Sequence, residues 1–131
     1  MVLDTSVILS VFFKEQFAEW SLMQMNKHAN ELRMSTVNLT ETLIRLQDRQ
    51  PQLFPSLKER LLYSGIRFVS PDIEQAQIAA DARIKYPLNL GDCFAYALAV
   101  QEDCPILTLD QDFKIVDRPI IHPTKNATVT S

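Results

Sequence analysis

The stretch Met1-Val2-Leu3-Asp4-Thr5-Ser6-Val7-Ile8-Leu9-Ser10 decides how the chain is read. An apolar run meets one carboxylate, then two hydroxyls, then apolar residues again. A short buried strand with an acid at its carboxyl end, turning into a helix, has this pattern. In open α/β sheets, ligands sit just outside the carboxyl ends of the strands. Asp4 therefore stands where a site forms, although the N-cap of the first helix also accounts for an Asp here.

Working outward, the turn at Thr5-Ser6 leads into Val7 to Phe13, too apolar for a loop and expected to begin a helix. Glu15 to Ala29 is expected to be a helix, with Phe17, Trp20, Leu22, Met23 and Met25 as its apolar surface. Leu32 to Thr36 alternates like a strand. Val37 to Arg49 has helical periodicity, is capped by Ser35 or Thr36, and stops before Pro51. Pro51 to Pro55 reads as a turn. Ser56 to Tyr63 reads as a short helix capped by Ser56, with Glu59 three residues on, and Gly65 ends it. Ile66 to Val69 is a strand, and Ser70-Pro71-Asp72 opens a helix to about Lys85. After a linker at Pro87 to Leu90, Gly91 to Asp103 is a helix. Pro105 to Leu109 is a strand ending at Asp110, with a turn at Gln111-Asp112-Phe113, and Pro119 to Pro123 is a last strand. Strands alternating with helices predict an α/β fold with a parallel sheet covered on both faces. One domain over residues 1–123 and a polar tail over 124–131 are expected, with no repeat or internal boundary.

Composition removes several classes of function. Only Gly65 and Gly91 occur, so there is no dinucleotide-binding GxGxxG, no P-loop and no GxSxG elbow. Cys93 and Cys104 match no zinc spacing, and His28 and His122 are too few to complete one. Two cysteines make no disulfide framework, and both are expected to be buried small apolar residues. A reducing, cytoplasmic compartment is the expectation: no signal peptide is seen, and no apolar run approaches membrane-spanning length. The net charge of −3, from 13 basic and 16 acidic residues, is not that of a general nucleic-acid binder. A cluster of carboxylates offset by bound cations would still permit nucleic acid as substrate.

Four acids fall at suggestive positions. Asp4 and Asp110 end apolar strands, while Glu41 and Asp92 lie early in helices. Each has a plainer reading. Glu41 shares a helix face with Val37, Ile44 and Asp48, beside a stripe of Leu39, Leu43 and Leu46, and pairs readily with Arg45 one turn on. With Asn89 as N-cap, Asp92 is the third helical residue, where the helix dipole favours an acid. Asp110 and Asp112 suit a turn. Four such coincidences on one edge of one sheet are less expected than any one of them. Carboxylates without His or Cys suit Mg²⁺ or Mn²⁺, and clustered carboxylates raise each other's pKa unless a cation is present. A phosphatase of the haloacid dehalogenase type needs a second acid two residues after the first, and position 6 is Ser.

Leu3-Asp4-Thr5-Ser6, Glu41 in the second main helix, Leu90-Gly91-Asp92 opening an Ala-rich helix, and Leu107-Thr108-Leu109-Asp110-Gln111-Asp112-Phe113 together resemble the PIN domain. More narrowly, they resemble the VapC-type ribonuclease toxins of bacterial toxin–antitoxin pairs. The resemblance implies a three-layer α/β/α fold with a central parallel sheet of four or five strands. It also implies metal-dependent endonucleolytic cleavage of RNA, leaving 3′-hydroxyl and 5′-phosphate ends. The acidic quartet maps onto Asp4, Glu41, Asp92 and Asp110, of which Asp4, Asp92 and Asp110 would bind Mg²⁺ or Mn²⁺. Ser6 and Thr108 match supporting positions, and Asp112 matches an extra acid. An antitoxin protein and a homodimer are the implied partners, and the apolar surface of residues 11–25 and 37–46 is in keeping with an interface. Lys14, Arg45 and Arg49 are candidate RNA contacts by their nearness in sequence to Ser10 and Glu41. The competing reading is a PIN-like module that binds RNA or protein without turnover.

Overall fold

A computed structural model describes residues 1–123; the expected polar tail at 124–131 lies outside the described residues. The elements in chain order are β1 (Val2–Leu3), α1 (Thr5–Phe13), α2 (Ala18–Lys27), a 3₁₀ turn (Ala29–Glu31), β2 (Arg33–Ser35), α3 (Thr36–Arg49) and α4 (Phe54–Leu62). Then come β3 (Arg67–Val69), α5 (Ile73–Lys85), α6 (Leu90–Glu102), β4 (Ile106–Leu107), a second 3₁₀ turn (Gln111–Ile115) and β5 (Ile120–Ile121). The five strands form one sheet in the order β3-β2-β1-β4-β5, and every pairing is parallel.

Alternation along the short strands separates two cores. Leu3 and Leu107 face one side, with Val7, Ile8, Trp20, Met34, Leu46, Leu57 and Leu61 from α1 to α4 and β2. Val2 and Ile106 face the other, with Ala79, Ala82, Leu98 and neighbouring residues from α5 and α6, and Phe113. Helices on both faces of a parallel sheet give the expected three layers.

Three expectations change. The helix expected from Glu15 to Ala29 is confined to Ala18–Lys27, because Lys14 and Phe17 both adopt left-handed backbone (φ 53° and 67°) and turn the chain sharply between α1 and α2. The helix expected to start at Ser56 starts at Phe54, with Pro55 in its first turn, where a missing N–H costs nothing, and without a side-chain cap. The buried face of α3 carries Asn38, Thr42 and Leu46, while Ile44, placed with Val37 on an apolar face, is 58% exposed. The caps of the other main helices are those the sequence marks: Asp4 for α1, Ser35 for α3, Asp72 for α5 and Asn89 for α6.

One feature of the connectivity places the site. α5 and α6 follow each other without an intervening strand and pack as an antiparallel pair. Gln75, early in α5, donates to Gln101, late in α6, at 2.6 Å, and Gln101 donates to Asp72 at 2.9 Å. The carboxyl end of α6 then meets the amino edge of the sheet, where Glu102 pairs with Arg33 and Arg67 at the starts of β2 and β3. Its amino end, with Asp92, is thereby returned to the carboxyl edge that already holds Asp4, α3 and Asp110.

Candidate active site

Asp4 lies immediately after β1 and is 2% exposed. Its Oδ1 accepts from the Ser6 hydroxyl at 2.6 Å and from the Val7 N–H at 3.4 Å, and its Oδ2 accepts from the Thr108 hydroxyl at 2.5 Å. Ser6 and Thr108 each have a second function. Ser6 Oγ accepts from the Leu109 N–H at 3.0 Å, and Thr108 Oγ1 from the Asp110 N–H at 2.9 Å. The two hydroxyls therefore tie the end of β1 to the end of β4 and fix the Asp4 carboxylate between them. Asp4 is both the helix cap and the centre of a polar network. Burial pushes its pKa up to about 6 despite these bonds, and the Asp110 charge adds to the rise.

Asp92 lies in the first turn of α6, its N–H bonded to the Asn89 cap at 2.8 Å. It is 8% exposed, and its Oδ2 is buried without a hydrogen-bond partner among the described residues. Burial is the main cause of a pKa near 7, and Asp110, Asp4 and Glu41 each raise it further. Three acids distant in sequence thus act on the fourth through space. Asp110 is half-buried, and its carboxylate accepts from the Asp112 N–H at 2.9 Å. Asp112 contributes that N–H, and its own side chain is exposed.

Among the described residues Glu41 forms no ion pair with Arg45, which is exposed. Its Oε1 accepts from the Thr5 hydroxyl and the Asn38 side-chain amide, each at 3.0 Å. The same amide donates to the Gly91 carbonyl at 3.1 Å. The Glu41 carboxylate lies so close to Gly91 that a Cβ there would collide with it. Thr5 and Asn38 were not among the candidates read from the sequence. Asn38 stands one helical turn before Glu41, which puts it on a neighbouring face, but only the fold shows that this face meets α6.

The basic candidates divide. Arg49 packs its guanidinium 3.7 Å over the Phe13 ring and pairs with Glu15 at 3.3 Å, so it fastens α3 to the carboxyl end of α1. Lys14 is exposed at that same end, about 13 Å along the helix from Thr5 at 1.5 Å per residue. Neither is brought to the four acids.

The acids suit a hard divalent cation. Asp92 Oδ2 is an anionic oxygen with no donor, and mutual repulsion opposes ionisation of the buried pair Asp4 and Asp92. Among the described residues, no three His, Cys, Asp or Glu side chains already meet at direct ligating distance. Waters between the carboxylates and an ion would be needed to complete its shell.

The sequence matches the PIN domain over residues 1–119. It is 33% identical to the ribonuclease VapC42 of Mycobacterium tuberculosis over 126 residues, covering 89% of this chain and 95% of the relative. It is 32% identical to the ribonuclease VapC of Mycolicibacterium smegmatis over 133 residues, covering 93% and 100%. The crystal structure of M. tuberculosis VapC20, a toxin that cleaves the sarcin–ricin loop, superimposes with a TM-score of 0.79 over 93% of this chain and 98% of that one, at 14% identity. The fold, the acids gathered on its carboxyl edge and these relatives agree: the chain belongs to the PIN-domain family, among the VapC ribonucleases.

Proposed function

We propose that the protein is a Mg²⁺- or Mn²⁺-dependent endoribonuclease and the toxin of a toxin–antitoxin pair. The observation that carries the reading is the approach of Asp4, Glu41, Asp92 and Asp110 on one edge of the sheet, with Asp92 left short of a donor. Asp4, Asp92 and Asp110 would hold the ion, one or two directly and the rest through water, with Glu41 at the margin. Bound there, a divalent ion supplies the charge that neutralises the acids, polarises a phosphodiester and acidifies water. Ser6 and Thr108 hold the Asp4 carboxylate in one orientation. Thr5 and Asn38 hold Glu41 by one oxygen, leaving the other without a protein donor among the described residues, so that it can orient or deprotonate a water. In-line attack of water on phosphorus, with the P–O3′ bond breaking and the departing 3′ oxygen taking up a proton, would leave 3′-hydroxyl and 5′-phosphate ends.

The named relatives and structural neighbours support an antitoxin partner; one neighbour is a VapBC2 complex of Rickettsia felis bound to a promoter DNA fragment. Exposed Leu22 and Met23 on α2, and a groove of about 620 Å³ that includes Val11, Phe17 and Leu22, give such a protein an apolar surface. A homodimer is the further expectation. Among the described residues no helix is long and apolar enough to cross a membrane.

The test is cleavage of end-labelled structured RNAs with Mg²⁺, with Mn²⁺ and with EDTA. The parent is expected to cut only with metal, and Asp4→Asn and Asp92→Asn to lose at least 100-fold in rate. Equal cutting by parent and variants would remove the assignment. Metal binding by the parent without turnover on any RNA would favour the binding-module alternative.

A further inference from the structure

We propose that Asn38, working against Gly91, is the positioning residue for Glu41, and that the pair sets the distance between Glu41 and Asp92. The inference rests on the endonuclease reading above and assigns roles to two residues outside the acidic quartet. Asn38 is wholly buried. Its side-chain N–H₂ spans two elements, donating to Glu41 Oε1 at 3.0 Å within α3 and to the Gly91 carbonyl at 3.1 Å on α6. Gly91 directly precedes Asp92, so one amide group links the two helices that carry two of the four acids.

The chemistry of Asn38 favours a positional function over packing. Its Oδ1 is buried without a partner among the described residues, which costs free energy that an apolar residue of similar volume would not incur. What an apolar residue lacks is the pair of donors. The Thr5 hydroxyl adds a third bond, also to Oε1, at 3.0 Å. Among the described residues none is donated to Oε2, so the carboxylate is anchored at one oxygen while its other carries no protein donor. Gly91 completes the clamp by absence: a Cβ there would occupy the space of the Glu41 carboxylate. Gly91 has ordinary helical backbone, so a methyl group is compatible with α6 itself, and what must yield is the flexible end of Glu41.

Two variants separate position from packing. Asn38→Asp keeps volume and replaces the donors by an acid facing a carboxylate and a carbonyl. Gly91→Ala leaves Asn38 intact and displaces Glu41 sterically, while Ala is the better helix former. For each, kcat and KM on a cleavable RNA, the thermal midpoint, and Mn²⁺ affinity by calorimetry would be measured beside the parent. The expected result is a 10- to 100-fold fall in kcat with KM within about threefold, in the range seen when residues supporting a metal site are replaced. Mn²⁺ affinity falls at least threefold, and Gly91→Ala melts no lower than the parent. A folded Gly91→Ala protein with parental kcat and Mn²⁺ affinity overturns the clamp and leaves the nuclease assignment standing. If the parent itself cuts no RNA, the nuclease assignment fails, and Mn²⁺ affinity alone judges the clamp: weakened binding in Gly91→Ala upholds it, and equal binding overturns it.

Discussion

Two hydroxyls do at the residue scale what the acids cannot do for themselves. A buried carboxylate without donors would be held only by packing, and Asp4 receives three donors, two from the first turn of α1 and one from the end of β4. Thr108 gives the sharper test, because it bridges Asp4 and the Asp110 N–H and is wholly buried. Thr108→Val keeps shape and removes both bonds. It is expected to cost about 1–3 kcal/mol, the usual range for leaving a buried partner unsatisfied. Urea unfolding at pH 7.5 would read the loss, and kcat should fall 10- to 100-fold as Asp4 loses its fixed orientation. Unchanged stability and rate would make Thr108 a bystander. Asp4 stood out in the sequence as an acid closing an apolar strand, although a helix cap accounts for it too, and Ser6 and Thr108 came only with the family resemblance. Asn38 did not stand out, since a polar residue near a helix start is ordinary until a second helix is known to cover it.

At the scale of elements, the sequence was clear where hydrophobic runs met cap residues and unclear where backbone strain decided. Asp4, Asp72 and Asn89 open their helices as read. The break between α1 and α2 was hidden, because Lys14 and Phe17 are not residues that advertise positive φ. The start of α4 moved because Phe54 packs against the core and Pro55 tolerates the first turn. Alternation implied a parallel sheet but not its strand order, and the return of Asp92 to the carboxyl edge depended on α5 and α6 packing antiparallel. That arrangement can be probed at the amino end of α6. Asn89→Ala removes the cap from the Asp92 N–H at a cost of about 1 kcal/mol, whereas Leu98→Ala opens the core beneath the helix at about 2–5 kcal/mol. Thermal melts should rank Leu98→Ala well below Asn89→Ala. The milder variant should nonetheless lose the larger share of activity per kcal/mol, because it loosens the turn that holds Asp92. Activity that simply tracked stability across the two would place the cap outside the site.

The whole molecule carries its acidic site as a conditional load. Asp4 and Asp92 ionise near 3.8 in an unfolded chain, and in the folded protein burial and mutual repulsion raise them to about 6 and about 7. A carboxyl whose folded pKa is raised stabilises the fold fully below its unfolded pKa, and that contribution is lost as pH rises through the folded value. The metal-free protein should therefore lose stability between about pH 4 and pH 7.5, with each pKa unit worth about 1.4 kcal/mol at most for so coupled a pair. A divalent ion binds only the folded, ionised site, so its stabilisation should grow over the same interval, reaching about 2.7 kcal/mol at a hundredfold excess over Kd. Thermal midpoints in EDTA and in MgCl₂ or MnCl₂, at pH 5 and pH 7.5, measure both effects. The ion is expected to raise the midpoint by several degrees at pH 7.5 and little at pH 5. Asp92→Asn should melt higher than the parent in EDTA at pH 7.5, because an uncharged amide replaces a buried charge near three others, and it should lose most of the response to the ion. A parent whose midpoint ignores both pH and ion would mean that the four acids do not act as one site, and the metal-dependent reading would fall with them.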